Sequence, residues 1–245
     1  MWYDTKQERK AGERRRGSAL RYDGVVKARF LARPNRFIAQ VELDGRVETV
    51  HVKNTGRCRE LLVPEAAVYL AAGHNPARRT AYDLIAVEKG DRLINMDAQA
   101  PNKVFDEWVR SGGFLPQVES IWPEYTVGKS RLDFALQTPR GFHYVEVKGV
   151  TLERGGAVYF PDAPTERGVK HLNELRAAAE TGIDATAAFV VQMEQADYLS
   201  PNDETHPEFG AALRAARAAG VNVRAFTCHV EPDSLAIRGE IPVIL

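Results

Sequence analysis

Past residue 20 the chain begins with short apolar or alternating stretches at 25–26, 37–43, 47–52, 68–72, 82–87 and 93–96. Runs of that length with a period of two mark half-buried strands. Turn-forming clusters separate them: Arg33-Pro34-Asn35, Asp44-Gly45, Asn54-Thr55-Gly56, Gly73-His74-Asn75-Pro76 and Lys89-Gly90-Asp91. The pattern predicts an all-β unit of about five strands, suited to a small barrel of the OB type, and an SH3-like barrel fits nearly as well.

After Pro101 the period becomes helical, with Val104, Phe105, Trp108 and Val109 on one face and Gly112-Gly113 as the stop. Strand-like stretches follow up to Tyr125, at 131–137 and at 142–148, the last two separated by the turn Thr138-Pro139-Arg140-Gly141. A helix is expected over 165–181 with Gly182 just beyond it, then a buried strand at 187–192, a second helix over 207–219 closed by Gly220, and a strand at 221–226. The order αβββαβαβ, with hairpin and crossover links, predicts a mixed sheet flanked by helices. The expected organisation is therefore α/β (α+β overall): a basic tail over 1–19, a barrel domain over 20–97 and a mixed-sheet domain over 98–245.

Composition narrows the function classes. With 245 residues, 44% of them hydrophobic, the chain has enough apolar material for two cores. Lys+Arg and Asp+Glu both total 33, so an anion site has to be local rather than global. Cys58 and Cys228 are far apart and lack CxxC spacing, which argues against a disulfide framework or thiolate zinc site and for a reducing compartment. No stretch is apolar enough to be a secretory signal or to span a bilayer, so a cytoplasmic location without membrane association is expected. The start carries Lys6, Arg9, Lys10, Arg14, Arg15 and Arg16, diluted by Asp4, Glu8 and Glu13; it reads either as a nucleic-acid arm or as a frayed charged tail.

The sharpest chemistry lies in Arg131-Leu132-Asp133-Phe134 and Tyr144-Val145-Glu146-Val147-Lys148-Gly149. Alternation puts Glu146 and Lys148 on one face of a strand. Counting outward from a turn centred between Pro139 and Arg140 sets Asp133 opposite Glu146, where Cβ atoms stand about 4.5–5.5 Å apart. Two such carboxylates repel unless a cation lies between them, and hard oxygen donors suit Mg²⁺ or Mn²⁺. A lysine beside that ion can hold the attacking water or stabilise charge on a phosphate. Glu107, on the polar side of the first helix, and Glu124 are further candidate ligands. The competing reading makes Glu146 and Lys148 the solvated face of an edge strand.

On the helix starting near Thr165, Arg167, Lys170, His171 and Glu174 form one polar stripe while Leu172, Leu175, Ala178 and Ala179 supply the core side. Arg167 and His171 are candidate phosphate holders, Arg167 being aided by N–H donors of the first turn, and an ordinary exposed face is the alternative. His171 has no partner histidine at metal-ligand spacing. In the barrel, Arg57, Arg59, Arg78 and Arg79 make basic loops able to hold a nucleic-acid backbone. Phe37, Tyr69 and Tyr82 serve either as stacking platforms or as core.

Taken together, strings along the chain resemble the sugar fermentation stimulation protein A family. They are Arg36-Phe37, the stretch from His51 to Gly56, Asn75-Pro76 with Arg78-Arg79-Thr80, Asn102 with Glu107, Glu124 with Gly128, Ser130 to Phe134, Val145-Glu146-Val147-Lys148, and Phe160-Pro161-Asp162-Ala163-Pro164-Thr165-Glu166-Arg167-Gly168 leading to Lys170-His171-Leu172. The resemblance spans residues 20–245 and implies an OB-like domain joined to a PD-(D/E)XK nuclease-like domain. It also implies non-specific DNA binding and a regulatory link to sugar, especially maltose, utilisation. On the nuclease motif, Asp133 matches the aspartate, Glu146 the acidic member and Lys148 the lysine, while Leu132 stands where the motif name has proline. Val52-Lys53 is a second departure.

Two main functions follow from these readings. One is a metal-dependent DNA nuclease with Asp133, Glu146 and Glu107 as Mg²⁺ or Mn²⁺ ligands, Lys148 on water or phosphate, and Arg131, Arg167 and His171 on the substrate. The other is a non-catalytic DNA-binding regulator. An RNA-directed role of the barrel is a third, since nothing in the sequence reads a 2′-hydroxyl.

Overall fold

The computed structural model describes residues 19–54, 56–73, 77–127 and 130–245. Residues 1–18 of the basic tail, Thr55, His74-Asn75-Pro76 and Gly128, which entered the sequence reading, lie outside them.

The barrel strands are β2 (Val26–Asn35), β3 (Ile38–Leu43), β4 (Arg46–Val52), β5 (Ala67–Ala72) and β6 (Tyr82–Lys89), after a short β1 (Leu20–Arg21) and before β7 (Arg92–Asn95). They run in the order β4-β3-β2-β5-β6, and a parallel pairing of β4 with β6, through His51↔Asp83 and Val52↔Leu84, closes the cylinder. Alternation puts Ala39, Val41, Val50, Val52, Val68 and Leu70 inside it. Leu84, Ile85, Ala86 and Val87 of β6 are buried without alternation, as expected of a strand covered on both sides. The turn expected at Arg33-Pro34-Asn35 falls at the end of β2, where Asn35 Oδ1 accepts from the N–H groups of Phe37 and Ile38.

The second unit contains α1 (Ala100–Arg110), β8 (Ser120–Val127), β9 (Ser130–Thr138), β10 (Gly141–Val150), β11 (Leu152–Arg154), β12 (Ala157–Phe160), α2 (Glu166–Glu180), β13 (Asp184–Val191), β14 (Leu199–Pro201), α3 (Pro207–Ala218), β15 (Asn222–Glu231) and β16 (Ser234–Ile241). Its seven-stranded sheet has the order β1-β16-β15-β13-β10-β9-β8. The middle strands β10, β13 and β15 are parallel and both flanks are antiparallel, the mixed sheet anticipated from the element order.

Helix α1 covers one face: Val104, Phe105 and Val109 pack with Phe134, Leu136, Val145, Val147 and Phe226. Helices α2 and α3 cover the other, with Leu172, Leu175, Phe209 and Leu213 on Ala185, Ala187 and Phe189. Helix α2 starts where Thr165 Oγ1 accepts from Gly168 N at 3.1 Å, and Gly182, at φ +86°, follows its end.

The structure corrects the sequence reading in three places. Residues 20–21, assigned to the barrel, pair with Ser234 and Leu235 of β16 and belong to the second sheet. The strand expected at 221–226 spans Asn222–Glu231 and turns back as β16, whose Leu235, Ile237 and Ile241 pack on the cores. A small sheet, β11-β12-β14, had no clear signal because its strands are only three or four residues long.

A candidate metal and phosphate site where the β9–β10 ladder ends

The hairpin of β9 and β10 pairs Thr138 with Gly141 and Phe134 with Val145. Continued by one residue, that register sets Asp133 against Glu146. Here the regular ladder ends. The Val147 N–H finds Asp133 Oδ2 at 2.8 Å instead of a backbone carbonyl, and Asp133 Oδ1 accepts from Asn102 Nδ2 of α1 at 2.9 Å.

Glu146 is only 2% exposed, and its Oε1 takes two donors: Lys148 Nζ at 2.5 Å and the Nδ1 of His171 from α2. Arg167 Nε donates to His171 Nε2 at 3.3 Å, so the imidazole has its proton on Nδ1 and relays between the guanidinium and the carboxylate. Glu146 Oε2 is buried without a hydrogen-bond partner among the described residues. An orphaned buried carboxylate oxygen is costly and calls for a ligand.

The two acids are driven apart in acidity. Burial first, and then the neighbouring Glu146 charge, raise the Asp133 pKa above the ordinary carboxylate range. Burial also opposes the Glu146 charge, but His171 and Lys148 outweigh it and hold that carboxyl below its usual value. Paired carboxylates with divergent acidities are a recurrent arrangement at catalytic centres.

Other predicted residues fall elsewhere. Five residues of helix turn Glu107 by about 140° from Asn102. Its charged neighbours are Asp106 and Lys103, and burial and Asp106 raise its pKa. Glu107 Oε2 is also buried and unpartnered, yet among the described residues no group of three or more His, Cys, Asp or Glu has metal-binding spacing. The assignment of Glu107 as a third ligand is thus not supported by the arrangement, because α1 presents Asn102 to the aspartate instead. Glu124, with a side chain 70% exposed, ion-pairs with exposed Arg131 at 3.5 Å, so these two occupy one another at the strand surface. His171 is buried on Glu146 and not displayed on an open stripe; its expected place on a phosphate is corrected to one behind the carboxylate. Lys170 and Glu174 pair on the helix surface at 3.6 Å.

In the barrel, Arg78 is engaged by Asp83, which also takes His51 Nδ1 at 2.9 Å. Arg79 is exposed and borders the same open cavity of ≈ 380 Å³, together with Lys53 and Thr80. Arg57 is exposed, but its carbonyl belongs to a loop stapled from below by Arg33, which donates to the carbonyls of Asn54, Gly56, Arg57 and Arg36. Of the three aromatics, Tyr82 packs on the core, Tyr69 is bonded to Glu88 at 2.7 Å, and Phe37 stays exposed beneath the Arg36 guanidinium.

Sequence reasoning missed the residues that join the domains. Asp97 is 0% exposed and accepts from Lys53 Nζ at 2.7 Å, Tyr22 Oη at 3.3 Å and Gln99 N at 2.9 Å. Gln192, buried at the end of β13, donates to Asn95 Oδ1 at 2.9 Å and to the Asp97 carbonyl at 3.0 Å. Isolated Asp and Gln residues carry no periodic signal; only their burial marks them.

A closed five-stranded barrel joined through Asp97 and Gln192 to a seven-stranded mixed sheet defines a two-domain class of protein. Residues 31–96 match the model of the SfsA N-terminal OB domain, and residues 99–234 match that of the sugar fermentation stimulation protein RE domain. The chain belongs to the sugar fermentation stimulation protein family. It is 51% identical over 226 residues to a sugar fermentation stimulation protein homolog of Clostridium beijerinckii, covering 92% of this chain and 100% of that one. A homolog from Desulfitobacterium hafniense is 51% identical over 216 residues, covering 88% and 94%. The solved structure of Pyrococcus furiosus SfsA in complex with Ca²⁺ superposes with a TM-score of 0.84 at 29% identity, covering 93% of this chain and 100% of that one. The OB match decides between the two barrel types the strand pattern left open.

Proposed function

We propose that this protein binds nucleic acid, DNA in the first instance, through its phosphate backbone, and hydrolyses phosphodiesters at Asp133, Glu146 and Lys148 with a bound Mg²⁺ or Mn²⁺. The observation that carries the reading is Glu146: one oxygen holds Lys148 at 2.5 Å and the other is buried and empty-handed, beside a second acid of opposite pKa shift. That donor set fits a hard divalent cation, and the Pyrococcus furiosus relative was solved with Ca²⁺. When bound, the ion would supply Lewis acidity and a more acidic water. Asp133 and Glu146 would hold it, Asn102 and His171 orient those two carboxylates, and Lys148 meets the attacked phosphate or the water. Arg167 and the barrel's Arg79 would position the strand.

A second reading, a non-catalytic DNA-binding regulator linked to sugar utilisation, is favoured by one specific feature. Both Asp133 oxygens already have donors, as a structural carboxylate would. Incubating supercoiled and single-stranded DNA with the protein in Mg²⁺ or Mn²⁺, beside Lys148→Ala, decides between them. Metal-dependent cleavage lost in the variant supports hydrolysis; salt-sensitive binding without cleavage supports the regulator.

A further inference from the structure

One residue along β10 from Lys148 begins a second feature that phosphate chemistry does not explain. A cavity of ≈ 110 Å³ opens at the seam between the domains, lined by Asn54 of the barrel and by Gly149, Thr151, Phe160, Asp162 and Gln192 of the nuclease-like domain. That is well above the roughly 10–15 Å³ one water needs, so the space takes a group several atoms across. No Lys, Arg or His lines it, and its single charged side chain, Asp162, is acidic. A phosphate is repelled there. The Asn54 amide nitrogen, Gln192 Oε1 and the Thr151 hydroxyl instead offer donor and acceptor atoms beside Tyr159 and Phe160, since the Gln192 amide nitrogen is taken by Asn95 and Asp97 and Asn54 Oδ1 by Gly56 N.

The walls are held in place before anything enters. Gln192 is fixed by Asn95 and Asp97, and Phe160 packs edge-on against Phe189 and Phe209 at 5.6 and 5.1 Å. Two glycines let these walls pack closely. A Cβ on Gly149 would stand 2.6 Å from Gln192 Oε1 and 2.7 Å from Pro101 Cγ, and one on Gly56 would stand 2.4 Å from Asp162 Oδ2. Gly149 directly follows Lys148, so the lining of the cavity begins one residue along β10 from that lysine.

We propose that this cavity receives one unstacked nucleobase of a single strand, belonging to the nucleotide next to the phosphodiester at Lys148. The inference rests on the proposed function and names its substrate: a single-stranded or locally unpaired nucleic acid. A donor and an acceptor brought together from different side chains can match a base edge, and an aromatic wall suits a base plane. A base stacked in a duplex must first be extruded, whereas a single strand offers it at little cost.

The test uses the full chain in Ca²⁺ and measures fluorescence anisotropy of a labelled short single strand, its duplex, and a series of the same strand with one abasic site at each successive position. The strand should bind more tightly than the duplex, and one abasic position should weaken it roughly tenfold. Gly149→Ala should weaken the intact strand by a similar factor and lose the abasic effect. Because that change presses on Gln192 and Pro101, Thr151→Val serves as a second variant of nearly equal shape. It should keep the melting temperature and weaken the intact strand while leaving the most affected abasic strand unchanged. Equal affinity for every abasic strand, with normal binding of the intact one, overturns this inference alone. Failure of strand and duplex alike to bind overturns the proposed function with it. Stabilisation of the protein by glucose or maltose, with no abasic effect, would assign the cavity to a carbohydrate and also overturn the proposal.

Discussion

Asn102 Nδ2 donates to Asp133 Oδ1 over 2.9 Å and ties the first turn of α1 to the edge of the central hairpin. Val147 N holds the other oxygen at 2.8 Å, so the aspartate is aimed from both sides before any ligand arrives. Glu146 is treated alike by His171 and Lys148 on its Oε1. The two acids thus differ from ordinary surface carboxylates in being fixed and close to one another, Glu146 buried and Asp133 partly so.

Asp133 has a folded pKa raised above its unfolded value by burial and by Glu146. Its share of the stability is therefore full below the normal Asp range and lost as pH rises through the folded pKa. Near neutral pH, Asp133→Asn should leave the metal-free protein as stable as the parent or more so. Mg²⁺ or Mn²⁺ should stabilise the parent by about 2.7 kcal/mol at a hundredfold excess over Kd, and this rise should vanish in Asp133→Asn. Thermal melts with and without metal check both. A parent indifferent to metal, with a variant that simply melts earlier, would make the acids structural.

Glu146 shows the opposite dependence. Its folded pKa lies below the unfolded value, so its contribution is present above the normal Glu range and lost as pH falls through the folded pKa. Removing a donor from this buried carboxylate by His171→Ala should cost roughly 1.5–3 kcal/mol at neutral pH. The deficit should shrink in acid, where the carboxyl is protonated in both proteins. Urea unfolding at several pH values measures it; a deficit independent of pH would mean that His171 matters only for packing.

Lys148 has a side chain 16% exposed against the 2% of its partner. Its removal strands Glu146 with His171 alone, and Lys148→Ala should lower stability by roughly 3–5 kcal/mol. DNA cleavage should disappear while the metal-induced shift in melting temperature persists, because the ammonium acts on water or phosphate. Lys148→Gln, which keeps a donor, should recover part of the stability and none of the cleavage. Cleavage by either variant would remove the lysine from the mechanism.

Adjacent Arg78 and Arg79 should separate. Arg78 is bound to Asp83, so Arg78→Ala should cost roughly 1–3 kcal/mol of stability. Arg79→Ala should leave stability within about 0.5 kcal/mol and weaken DNA binding, with a shallower dependence of log K on log salt. Parallel melts and anisotropy titrations over a salt series test this, and equal behaviour of the two variants would count against it.

Much of this molecule was legible in the amino-acid order because its determinants are local. Period-two runs between turn residues marked the barrel strands, Thr165 and Gly182 bounded α2, and the count around Pro139-Arg140 gave the hairpin register from Thr138↔Gly141 to Phe134↔Val145, since a tight hairpin leaves little freedom of register. What only the tertiary structure decided involves residues far apart in sequence. The pairing of residues 20–21 with β16, the hub at Asp97, the reach of Asn102 to Asp133 and the burial of His171 on Glu146 all depend on how finished elements pack. The same packing overrode the pattern at His171, placed by helical spacing on a polar stripe, because the stripe's edge meets the sheet where a buried carboxylate needs a donor. Periodicity reports which face a residue occupies. It cannot report which charge waits across the interface, and that is what separates a solvated helix face from part of a site.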